Sequence, residues 1–110
     1  MQLPNREHAY GSPKKLREYL LSDSHPVGRF KAKVFTSLGF TEQHLNDLQE
    51  GLLAIAYMNE VREERQGSYG RKYVLDGALP TPRGTLLHIR TVWMIDAGED
   101  APRFVTAYPL

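Results

Sequence analysis

The 110-residue chain is 41% hydrophobic and 25% charged with a net charge of +1, the profile of one soluble globular domain able to bury its own core. No apolar run approaches the roughly 20 residues that span a bilayer, and the first ten residues hold no apolar signal-peptide core, which points to the cytoplasm. Cysteine is absent, so disulfides and thiolate zinc sites are excluded. The near-neutral charge argues against a uniformly basic, sequence-blind nucleic-acid binder.

Residues 1–11 read as irregular, punctuated by Pro4, Asn5 and Gly11. A helix starts at Ser12 as N-cap, with Pro13 at the first helical position, where its missing N–H is harmless. Leu16, Tyr19 and Leu20 form its apolar stripe, and Ser22 to His25 break it. The segment "HPVGRFKAKVF" (25–35) opens a second helix from about Pro26 to Leu38. Val27, Phe30, Val34, Phe35 and Leu38 recur at spacings of three and four and form a core face. Gly39 stands where a helix stop is expected. A third helix begins at Thr41 and lines up Leu45, Leu48, Leu52 and Ile55. "NEVREERQG" reads as a polar tail or linker ending at Gly67.

From Tyr69 the hydrophobic period falls to two. "YGRKYVLDGAL" is a strand with Tyr69, Tyr73 and Leu75 on one face. "TLLHIRTVWMI" is the strongest strand, β-branched and aromatic, and "RFVTAYP" is the last. "PTPRG" and "DAGEDAP" are the intervening turns. Short connections between consecutive strands imply an antiparallel meander. Helices first and a sheet after them predict an α+β fold: a single domain over 1–110, with N-terminal helices (about 12–57) packed on a three- to four-stranded antiparallel sheet (about 69–108).

Charge is uneven. Residues 1–40 hold seven Lys/Arg against three acids, and residues 41–68 hold two Arg against six acids. A basic end beside an acidic middle predicts an electrically polar molecule.

The middle strand separates into two faces. Leu87, Ile89, Thr91, Trp93 and Ile95 should lie against the helices. His88 and Arg90 share the other face, where an arginine fork can hold a phosphodiester. On the last strand, alternation groups Phe104 with Thr106 and Tyr108. For His88 and Arg90 taken alone, solvation of a half-exposed sheet is the leading account. His25 stands at a helix start, and histidine serves as an acid or base near neutral pH; a local or surface role fits it as well. His8 and His44 have no obvious companions. The four histidines show no HxH or HExxH spacing, and no nucleotide-binding glycine motif is present, so no metal or other cofactor is expected.

Two resemblances extend this reading. The motif H-P-x-G-x-x-K-A (His25, Pro26, Gly28, Lys31, Ala32), T-V-W (Thr91 to Trp93) and P-R-x-V-T-A-Y (Pro102 to Tyr108) resemble a family of small bacterial domains without an assigned function, over about Pro4 to Pro109. More distantly, helices followed by an antiparallel sheet, with His and Lys near a helix start, look like the barnase/EndoU/colicin/RelE group of RNase toxins. That resemblance implies metal-independent cleavage of RNA by attack of the 2′-hydroxyl on the adjacent phosphate. It implies His25 as base or acid and His88 as its complement. Lys31 and Arg90 would stabilise the phosphate. Thr106 and Tyr108 would position the substrate, and Arg29, otherwise a solvated helix charge, joins them as a substrate-binding candidate. The expected partners are RNA and a small antitoxin or immunity protein, with no membrane. The alternative is a non-catalytic, antitoxin- or immunity-like interaction module that uses the acidic segment 41–68 against a basic partner. A small-molecule pocket lined by Trp93 and tyrosines is a third reading.

Overall fold

The computed structural model describes residues 1–17 and 35–110. Along the chain come a 3-10 turn at Arg6–His8, helix α1 (Pro13–Leu16), a second 3-10 turn at Glu42–His44 and helix α2 (Leu45–Met58). Four strands follow: β1 (Glu63–Gly67), β2 (Gly70–Pro80), β3 (Leu86–Asp96) and β4 (Arg103–Pro109). The fold is α+β, with the helices mostly ahead of an open antiparallel sheet in the order β1-β2-β3-β4.

The helix termini follow the expected chemistry. The Ser12 hydroxyl accepts the Lys15 N–H at 3.3 Å, with Pro13 in the first turn. Leu16 is fully buried. The helix assigned to 26–38 falls mostly outside the described residues, as do Val27, Phe30 and Val34. Its last turn is seen: residues 35–37 are helical. The Gly39 N–H donates to the Thr36 carbonyl at 3.0 Å and the Phe40 N–H to the Phe35 carbonyl at 3.1 Å. Gly39 has φ 96°, and the Phe35 and Phe40 rings meet edge-on at 5.9 Å. This is a Schellman stop with its hydrophobic contact, and it requires the left-handed residue that glycine supplies.

Thr41 and His44 then cap the next turn reciprocally. The Thr41 oxygen accepts the Gln43 N–H, while His44 Nδ1 accepts the Thr41 N–H at 3.3 Å. His44 therefore has a structural role. Helix α2 buries Leu45, Leu48, Leu52, Ile55 and Ala56, the stripe read from the sequence. It lies on β2. A Cβ on Gly51 would collide with Leu79, so glycine permits the close approach. At the far end, Arg6 Nη1 donates to the Tyr57 carbonyl at 2.7 Å, and its guanidinium stacks 4.3 Å from the Tyr57 ring centroid. A cation here satisfies a terminal carbonyl and the negative end of the helix dipole.

Two expectations need correction in the sheet. "NEVREERQG" is not a polar tail: Glu63–Gly67 is a strand paired with β2 from Glu63↔Val74 to Gly67↔Gly70. All five of its residues are exposed, so no apolar alternation marks it. Backbone pairing and the tight turn to Gly70 specify it instead. Tyr69 accordingly sits in that turn, half exposed, rather than on the core face with Tyr73 and Leu75.

The second correction concerns β4. Val92 pairs with Thr106, but Trp93 pairs with Phe104, so Val105 is an extra residue in the ladder. This bulge inverts the alternation. Phe104 turns inward, 2% exposed, with its ring edge-on to Trp93 at 5.4 Å. Thr106 and Tyr108 share the opposite face.

Strand β3 anchors the core as expected, with Ile89, Thr91, Trp93 and Ile95 buried. The Thr91 hydroxyl donates to the Leu75 carbonyl at 2.8 Å and accepts the Trp93 indole N–H at 2.9 Å. One hydroxyl thus satisfies a buried donor that would otherwise lack a partner. Trp93 is core, and the gap it lines with Leu16, Leu52 and Phe104 has no room even for a water molecule. Thr91→Val keeps the shape and removes both bonds. Denaturant unfolding is expected to show a loss of about 1–3 kcal/mol; an unchanged midpoint would show that the indole finds another acceptor.

Candidate functional site

The face of the sheet turned away from α2 gathers side chains from all four strands. From β3 come His88, Arg90, Val92 and Met94. By register, Ala78, Asp76, Val74 and Lys72 of β2 stand opposite them. Tyr108, Thr106 and Arg103 of β4 stand on the other side, and Glu63 and Arg65 of β1 extend the face beyond β2. Val74 and Val92, 6% and 9% exposed, form an apolar floor. His88 and Tyr108 are exposed, and Arg90 and Thr106 are half-buried. The four described residues that the sequence singled out (His88, Arg90, Thr106 and Tyr108) therefore occupy one surface. His25, Arg29 and Lys31 lie outside the described residues.

Arg90 is the most constrained cation there. Its Nε donates to Asp76 Oδ1 at 2.8 Å and its Nη2 to Asp76 Oδ2 at 3.0 Å, a bidentate fork. The fork that Arg90 donates to Asp76 chiefly raises the Arg90 pKa above its ordinary value, with a smaller contribution from the cross-strand Tyr108. The same fork holds the Asp76 carboxyl below its ordinary value, with help from Arg62. Arg62 Nη1 is 3.6 Å from Asp76 Oδ2, and its backbone N–H is fixed on the Val74 carbonyl at 2.7 Å.

A second fork closes the end of the face. Arg103 Nε and Nη2 donate to the Asp96 oxygens at 2.7 and 3.1 Å. Lys15 reaches this end, and partial burial first, then the Arg103 charge, lowers its pKa. Arg65 holds Glu63 at 2.6 Å on the exposed strand.

Asp76 and Arg62 were missed in the sequence. Alternation places Asp76 opposite Leu75, but only the hairpin register sets it beside Arg90. Arg62 carried no signal because the polar strand it precedes carried none.

A different surface lies over α2. A groove of about 390 Å³ is lined by Asp47, Glu50, Gly51 and Pro80, among others. Another, of about 460 Å³, is lined by Glu50, Ala54, Tyr57 and Met58. Neither includes His88, Arg90, Thr106 or Tyr108. Among the described residues, no helix is long and apolar enough to cross a membrane.

The forks make an acid-side prediction. The arginine forks hold the Asp76 and Asp96 carboxyls below the ordinary aspartate value in the folded chain. Their stabilisation is complete above that value and disappears as pH falls through the depressed folded values. The Tm gap between wild type and Asp76→Asn should be full at neutral pH, narrow below 3.8, and close in stronger acid. A gap independent of pH would show that the fork does not couple to folding.

Comparison with known proteins adds three findings. A chain of a contact-dependent growth inhibition toxin–immunity protein complex from Klebsiella pneumoniae 342 has the same fold, with a TM-score of 0.74 over 94% of this chain and 95% of that one, at 18% identity. None of the curated proteins matches. The profile of a family described as Domain of unknown function (DUF6883) matches residues 2–110, and the chain belongs to that family.

Proposed function

We propose that the chain is a ribonuclease of bacterial toxin type that acts in the cytoplasm and needs no metal. The carrying observation is that His88, Arg90, Thr106 and Tyr108 share one sheet face, with Arg90 paired to Tyr108 and Val92 to Thr106. Transesterification of RNA needs a proton acceptor for the 2′-hydroxyl, a proton donor for the departing 5′-oxygen, and donors for the crowded phosphate. His25 and His88 divide the first two tasks. As the base removes the 2′ proton, O2′ bonds to phosphorus, the bond to O5′ breaks, and the acid protonates O5′. The products are a 2′,3′-cyclic phosphate and a 5′-hydroxyl. Arg90 and Lys31 stabilise the phosphate, while Thr106, Tyr108 and Arg29 hold the substrate.

Asp76 occupies Nε and one hydrogen of Nη2 of Arg90, leaving the Nη1 edge outside the fork. The similar fold from a toxin–immunity complex supports a toxin-related reading, and an immunity-like protein is then the natural partner. A second reading, a non-catalytic immunity-like module, is favoured by the acid- and Tyr/Met-lined grooves over α2. Tyrosine and methionine are enriched at protein interfaces.

Purified protein incubated with RNA and EDTA should release fragments with 2′,3′-cyclic phosphate ends. His88→Ala should slow cleavage by about 100-fold or more without lowering Tm. In growing cells, His25→Ala should relieve toxicity. No cleavage, or equal cleavage and equal growth with and without the histidines, would leave the interaction module as the better account.

A further inference from the structure

We propose that Arg62, Asp76 and Arg90 form a two-arginine clamp for one phosphodiester, with Asp76 as its positioning residue. The inference rests on the ribonuclease reading for its substrate class, but not for its geometry. One carboxylate lies between two guanidiniums: Arg90 forks onto both oxygens, and Arg62 approaches Oδ2 at 3.6 Å. A single negative charge cannot balance two cations, so the cluster keeps one unit of positive charge. Glu63, the β1 acid on this face, is engaged by Arg65 at 2.6 Å. Lys72 lies opposite Arg65 on the same face and adds to the excess.

The anchoring is rigid where it must be. Asp76 and Arg90 are directly paired across β2 and β3, and their side chains are 25% and 27% exposed. Arg62 is 62% exposed, yet its backbone is pinned to β2. One arginine is therefore preorganised and the other can close over a ligand. Guanidinium groups present planar pairs of N–H donors that match the oxygens of a phosphate. A phosphodiester carries the one negative charge that the cluster leaves unbalanced. Asp76 touches no substrate; it fixes which edge of Arg90 is offered.

The test uses a short 2′-fluoro single-stranded oligonucleotide, which lacks the attacking hydroxyl and cannot be cleaved. Affinity is measured across salt concentrations by fluorescence anisotropy. Removing one phosphate contact from a single strand lowers the log–log salt slope by about 0.7. Arg62→Ala should show that loss and bind about tenfold more weakly; Arg62→Glu should weaken binding further. Arg83→Ala, an exposed cation in the β2–β3 turn, should leave slope and affinity unchanged. Arg62 is exposed, so its variants are expected to keep the wild-type Tm.

If wild type cleaves RNA but Arg62→Ala binds with the same slope and affinity, the clamp is overturned and the ribonuclease reading stands. If wild type binds through Arg62 without cleaving RNA, the clamp stands and the ribonuclease reading fails. If wild type does not bind the oligonucleotide, both fail.

Discussion

The extra residue at Val105 decides what each face of β4 can do. Without it, strict alternation would put Phe104 and Tyr108 on the same side. Either the core would lose the ring that packs edge-on against Trp93, or the outer face would lose its tyrosine. With it, Phe104 fills the core and Tyr108 stands on the outer face, paired across the strands with Arg90. Bulges that re-aim a side chain are a recurring device beside functional sites. Here the device also depends on β3, the central strand, whose two faces are sharply divided. Thr91 and Trp93 lock the inner face through a shared hydroxyl, and the outer face is left to His88 and Arg90.

That division explains the electrostatics. On the outer face the antiparallel register sets Arg90 beside Asp76, while Arg103 meets Asp96 across the β3–β4 turn and Arg65 meets Glu63 within β1. The forks at Asp76 and Asp96 keep arginine side chains in fixed orientations above the sheet. A fixed guanidinium loses less freedom on meeting an anion than a flexible one does. Among the described residues, the excess of cations over acids around Asp76 makes this region the electrostatic candidate for an anion. The acidic residues Asp47 and Glu50 lie on the other side of the molecule, along α2.

Much of this was legible in the sequence where apolar periodicity spoke. The stripe of α2, the cap at Ser12, the stop at Gly39 and the buried half of β3 all follow from spacing alone, because each is driven by burial or by one residue's backbone freedom. Strand β1 was illegible because it buries nothing: five exposed residues leave no period to read. The face of Tyr108 was misassigned relative to Phe104 because a bulge is one residue of register, and register is a property of two strands. His88 and Arg90 could be placed on one face from a single strand. Asp76 and Arg62 could not be joined to them until the β2–β3 and β1–β2 ladders were known. His44, read without a companion, has one in Thr41, three residues away.

The central claim is that the outer sheet face, rather than the α2 face, meets the phosphodiester. Backbone NMR spectra recorded during titration with an uncleavable oligonucleotide test it most directly. The account expects progressive shifts at Arg62, Asp76, His88, Arg90, Thr106 and Tyr108, with Asp47, Glu50, Tyr57 and Met58 unmoved. Shifts confined to the α2 residues, or none on the sheet face at saturating oligonucleotide, would contradict it.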